Sequence, residues 1–154
     1  MFIETTAISD GFFKDIYGKR GTEFISDMPT FSIPFSIRDY PTLTKSFAFI
    51  LKDDDAIPVC GFSWIHWLGA NLKKDTVIQN ESINATDFIQ GKNDWGENLY
   101  GGMAPPNAPH KYDLIVYALD CELDLSAGFS KDDLVQKIKG HILDTASISG
   151  IYNN

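Results

Sequence analysis

Histidine and cysteine are scarce in this 154-residue chain, with three of the first and two of the second. Cys60 and Cys121 form no CxxC pair, which excludes a zinc knuckle and a dithiol redox centre. Both are expected as reduced thiols. Basic residues are in deficit: 13 Lys and Arg stand against 21 Asp and Glu, for a net charge of −8. Such a surface repels phosphate backbones and anionic membranes, so nucleic acid is not an expected partner. Any anion site must then be a local pocket of donors. No run approaches the roughly 20 apolar residues of a spanning helix, so no transmembrane segment is expected. The opening MFIETTAISD carries Glu4 and no basic-then-apolar pattern, which predicts a cytoplasmic protein without a secretory signal. HExxH and Gly-x-Ser-x-Gly are missing, and so are internal repeats.

A 44% hydrophobic and 13% aromatic composition is enough for a packed core, and the length suits one domain over residues 1–154. Met1 to Ala7 reads as a short strand. Phe31 to Ile37 is interrupted by Pro34, which predicts an edge strand or an irregular stretch. Thr44 to Leu51 reads as a good strand, with Phe47, Phe49, Leu51 and Asp53 on one face. Asp53, Asp54 and Asp55 end it as a solvated loop, unless one carboxylate turns inward to orient a histidine. Phe62 to Leu68 is the next strand; period two places Trp64 and His66 on one face, Ile65 and Trp67 on the other. Asn71 to Asn98 reads as a long polar loop with a short strand, and such loops tend to be functional or to wrap the core. Ser130 to Leu143 is the one clear helix. Ser130 caps it with Asp133 at capping-box spacing, and Leu134, Ile138 and Ile142 form its apolar stripe. Ile148 to Tyr152 reads as a final strand.

The organising stretch is Tyr100 to Asp120, YGGMAPPNAPHKYDLIVYALD. Its first half is a Gly/Pro-rich loop and its second a strand. His110 sits at the junction, held by both. His110, Tyr112, Leu114, Val116 and Ala118 share a face. The other face is not simply polar either, so this strand is expected to be central and covered on both sides. Without regular strand-helix alternation, the pattern favours a mostly antiparallel β fold with peripheral helices.

These segments resemble the phosphatidylethanolamine-binding protein family, on its bacterial and archaeal Raf kinase inhibitor-like branch. LTKSFAFIL with DDDAI, WIHW, GKNDWG, YGG, APP, PHKY, YALDCELDL and KGHIL carry the resemblance, in the family's order and over nearly the whole chain. It implies an antiparallel Greek-key β-sandwich with a few peripheral helices, one of them C-terminal. It also implies a pocket for small anions lined by Asp53, Trp64, His66, Gly102, Pro105, Pro106, His110 and Tyr112. The family's Asp-Pro-Asp-Ala-Pro motif stands here as Asp53-Asp54-Asp55-Ala56-Ile57, with Pro58 one place late. Lys111 stands where arginine is common, keeping charge but losing the planar fork.

The residue types suit an anion. Histidine is charged by a modest change of environment, two imidazoles offer two N–H donors, and Asp53 accepts from the far nitrogen of one. Tyr112 adds a hydroxyl, the Gly101-Gly102 backbone comes close, and the prolines stiffen the wall. The leading expectation is a non-catalytic binding module without cofactor, for a small anionic or phosphorylated ligand. A regulatory protein partner such as a kinase, and a homodimer, follow from the resemblance. The alternative is a metal-assisted hydrolase using His66, His110 and Asp53.

Overall fold

The computed structural model describes residues 1–154. Twelve strands follow one another: β1 (Phe2–Glu4), β2 (Ile8–Ser9), β3 (Phe12–Phe13), β4 (Phe24–Ile25), β5 (Met28–Pro29), β6 (Phe35–Arg38), β7 (Ser46–Asp53), β8 (Trp64–Leu72), β9 (Thr76–Val77), β10 (Ile89–Gln90), β11 (His110–Leu119) and β12 (Ile142–Tyr152). Two short helices interrupt them, α1 (Ile57–Cys60) and α2 (Lys131–Ile138). The chain is mostly β, as the pattern predicted.

The large sheet runs β10-β8-β7-β11-β12-β3-β2, and a small sheet runs β1-β6-β9. β11 lies between β7 and β12, central as expected. All pairs in the two sheets are antiparallel except β12 with β3, which meet in parallel at Ile151 and Phe12. The large sheet is therefore mostly antiparallel, as the pattern predicted, but mixed, a correction to the antiparallel sandwich that the resemblance implied. β6 is also corrected. Pro34 precedes the strand instead of sitting in it, so Phe35 to Arg38 keep the donors that bond both β1 and β9.

One face of the large sheet meets the small sheet across an aromatic core. Phe49, Leu51, Trp67, Leu114 and Val116 pack with Ile3, Phe35, Ile37 and Val77. The opposite face buries Ile50, Ile65 and Leu68 beneath Leu123, Phe129 and the Leu134 and Ile138 side chains of α2. Both sides of the central strands are thus covered.

The capping box at α2 is present: Ser130 Oγ accepts from Asp133 N at 3.0 Å, and Asp133 Oδ2 accepts from Ser130 N at 2.9 Å. Ser130→Ala should cost about 1 kcal/mol, read as a shifted urea midpoint. The far end is shorter than expected. Gly140 takes φ of +80°, a left-handed turn that stops the helix, and the chain enters β12 at Ile142. Ile142 is therefore not part of the helical stripe; it is 44% exposed on a strand. Leu143 likewise belongs to β12, which is far longer than the predicted Ile148 to Tyr152.

Candidate functional site

Three adjacent strands bring the site together in one cross-strand row. Tyr112 on β11 pairs with Asp53 on β7, and Asp53 pairs with Trp64 on β8. His110 begins β11 just beyond this row. Between Leu51 and Lys52 the register of β7 with β8 shifts: Lys52 faces Ile65 while Leu51 faces Trp67. His66 is the extra residue of that β-bulge. A bulge breaks period two, so Trp67 turns to the same side as Trp64, a correction to its expected place beside Ile65. Trp67 enters the aromatic core, whereas Ile65 joins the α2 side.

Of the three aspartates, Asp53 alone turns in and is buried, while Asp54 and Asp55 stay exposed. Its Oδ2 accepts from His110 Nδ1 at 2.7 Å and its Oδ1 from Ala56 N at 3.1 Å. Burial raises the Asp53 carboxyl above its ordinary range, against the lowering pull of His110. The other nitrogen of His110, Nε2, faces Asn107 Oδ1 at 2.9 Å. The Asn107 carboxamide therefore caps the histidine that was expected to be free for a ligand.

His66 is 2% exposed and held on two sides by one residue. Its Nδ1–H donates to Gly101 O at 2.7 Å, and its carbonyl accepts from Gly101 N at 2.8 Å. A carbonyl only accepts, so the proton of the neutral ring sits on Nδ1 and the lone pair on Nε2. Burial depresses this imidazole to about 4, so it is neutral near pH 7. The expectation that both rings offer N–H donors is thus corrected: His66 presents an acceptor.

The His66 and His110 rings flank Tyr112, with centroids 5.1 Å and 6.5 Å from its ring. These side chains line a cavity of about 340 Å³ with Trp64, Trp95, Pro106 and Ala104. Two polar atoms in this wall are buried without a hydrogen-bond partner, Trp64 Nε1 and Tyr112 Oη. Burial and the nearby Asp53 charge push the Tyr112 hydroxyl well above its usual range, so it stays protonated and able to donate.

Asp53, Trp64, His66, Pro106, His110 and Tyr112 all reach the cavity; Gly102 and Pro105 do not line it. Gly102 supports the loop from behind, where a Cβ would stand 2.4 Å from Tyr17 O. Pro105 O instead accepts from Lys19 Nζ at 2.7 Å. Trp95, Ala56, Val59, Cys60, Asp27 and the capping Asn107 were not singled out in the sequence. Trp95 is presented by buried Asn93, whose Oδ1 accepts from Trp95 N and Glu97 N at 3.0 Å and 3.1 Å. The Asn-x-x-x-Glu stretch of GKNDWGEN, with its Gly96, carried that turn signal.

Asp53, His66 and His110 do not gather as the metal triad that the alternative hydrolase reading would need. Three His, Cys, Asp or Glu donor atoms come within 4.8 Å of one another only at Asp120, Cys121 and His141, outside the cavity. His141 itself lies in the turn after α2, not in the helix, and pairs with Asp120 at 2.8 Å.

The phosphatidylethanolamine-binding protein family model matches residues 4–153. The chain is 37% identical to the uncharacterized protein YxkA of Bacillus subtilis, over 86% of this chain and 83% of that protein. It is 34% identical to a UPF0098 protein of Methanothermobacter thermautotrophicus, over 88% and 91% of the two chains. Among solved structures, a putative phosphatidylethanolamine-binding protein homologue, CT736 of Chlamydia trachomatis, superposes with a TM-score of 0.86 at 30% identity, covering 99% and 97% of the two chains. YbcL of E. coli superposes at 0.84, and its 24% identity speaks to the fold alone. With residues 4–153 matched by the family model and 99% of the chain matched in fold, this protein belongs to the phosphatidylethanolamine-binding protein family, alongside bacterial and archaeal members.

Proposed function

We propose that the cavity binds a small anion, a phosphoryl or carboxylate group on a metabolite, a lipid head group or a protein, without acting on it as an enzyme. One observation carries this reading. Trp64 Nε1 and Tyr112 Oη are buried donors with no partner, on the wall that also holds the Asp53–His110 pair. A buried donor left unpaired costs about 1–3 kcal/mol, which an acceptor in the cavity would recover.

Calorimetric titration with inorganic phosphate tests the reading. Wild type should bind. His110→Ala should bind at least ten-fold more weakly, because a hydrogen bond to a charged group is worth about 1.5–3 kcal/mol. Equal binding by the two proteins, or no binding by wild type, contradicts it.

Asn107 competes for the same nitrogen of His110. Asn107→Ala should therefore raise phosphate affinity about two- to ten-fold, the worth of one net hydrogen bond. An unchanged affinity would show that Asn107 stays in place when the ligand binds.

A regulatory partner such as a kinase would meet the chain at this same cavity. The mouth beside it is apolar, with Ile57, Val59 and Phe62 each about half exposed (48%, 48% and 49%). The reading also takes the protein as cytoplasmic and as a homodimer. Light scattering that returned the 17.2 kDa of one chain would remove the dimer.

A further inference from the structure

The cavity wall is unusual for an anion site in what it offers. No lysine or arginine lines it. The charge-bearing groups that line the cavity with His66 are Asp53 on β7, His110 on β11 and Asp27, with Tyr112 and Cys60 as the remaining titratable neighbours. If His110 is charged, Asp53 cancels it at 2.7 Å. A doubly charged ligand therefore meets no net positive counter-charge.

The donors and acceptors are also mixed. Trp64 Nε1 and Tyr112 Oη can donate. His66 cannot, because the bond from Nδ1 to Gly101 O leaves Nε2 with a lone pair. Nε2 makes no hydrogen bond within the protein. An oxygen without a proton placed there would oppose one lone pair with another.

We infer that the group bound here is a phosphoryl group that keeps one proton. Its P–O–H donates to Nε2 of His66, and its remaining oxygens accept from Trp64 and Tyr112 and, once Asn107 is displaced, from His110. The inference rests on the cavity being the anion site and narrows that reading. A singly protonated phosphomonoester carries one negative charge, which suits a wall without fixed cations. Sulfate lacks the proton, and a phosphodiester has no oxygen left to carry it. Sites built around a ligand hydroxyl reject analogues that lack it far more strongly than pockets that read size alone.

Calorimetry on the wild-type chain at about pH 6, near the second pKa of phosphomonoesters, separates the possibilities with four probes. Phosphate and methyl phosphate should bind at least ten-fold more tightly than sulfate and dimethyl phosphate. Sulfate controls for size, and dimethyl phosphate controls for charge. If sulfate or dimethyl phosphate binds within ten-fold of phosphate, the inference is overturned while the anion site stands. If none of the four binds, the anion site falls with it. His66→Gln replaces the acceptor by an amide that can also donate. The phosphate-to-sulfate preference should then shrink to less than three-fold. A folded His66→Gln protein that keeps the full preference removes His66 as the selecting residue.

Discussion

Replacing Trp67 with alanine should lower stability by about 4 kcal/mol, within the 3–5 kcal/mol that removal of a buried tryptophan costs. Trp67 is fully buried and meets Phe49, Tyr100, Phe88 and Phe35 at ring distances of 4.8, 5.4, 6.1 and 6.2 Å. Its Nε1 donates to Gln90 Oε1 at 2.7 Å. Little around it can collapse into the space, because these neighbours sit on β6, on β7, in the bend before β10 and on the Tyr100 loop. The same substitution reaches the site. Trp67 turns into the core only because His66 is the extra residue of the bulge, and without that anchor β8 is free to return to regular pairing. His66 would then leave the cavity. Urea unfolding measures the first effect, and phosphate titration of the folded variant measures the second. A loss under 2 kcal/mol would contradict the packing account.

Acidification should destabilise the fold through His66. Its imidazole falls from the ordinary 6.5 to about 4 on burial. A histidine depressed in the folded state binds its proton more readily when unfolded. Stability is thus full above pH 6.5 and drains as pH falls toward 4, by about 3 kcal/mol in all. Asp53 acts in the opposite sense. Its folded carboxyl is raised, so its burial costs stability above its folded value, and that cost is relieved as it protonates. The clean observable is therefore the difference between wild type and His66→Gln. That difference should change by about 3 kcal/mol between pH 7 and pH 4, with the variant losing less. A constant difference across the range would show that His66 is not buried neutral.

Much of this site could be read from the sequence because its members end regular strands. Asp53 closes a run of alternating apolar residues, and His110 and Tyr112 open another, so period two alone put their partners on the right face. The count failed where the backbone departs from period two. The His66 bulge sent Trp67 to the unexpected side, and nothing in FSWIHWL marks the extra residue. α2 failed in the opposite way. Leu134, Ile138 and Ile142 keep helical spacing through a glycine whose positive φ ends the helix. Trp95 and Asn107 were missed because loop geometry places them, through the Asn93 turn and the Pro-rich segment before His110. The tautomer of His66 depends on a carbonyl 35 residues away, which no local pattern reports.

Imidazole nitrogen NMR during a phosphate titration tests the central claim most directly, because the chain has only three histidines. His66 and His110 should shift together with a single saturation curve. Nε2 of His66 should report an unprotonated nitrogen that becomes hydrogen-bonded, and exposed His141 should stay where it is. Resonances of His66 and His110 that ignore phosphate, or that titrate with unrelated affinities, would contradict a shared cavity.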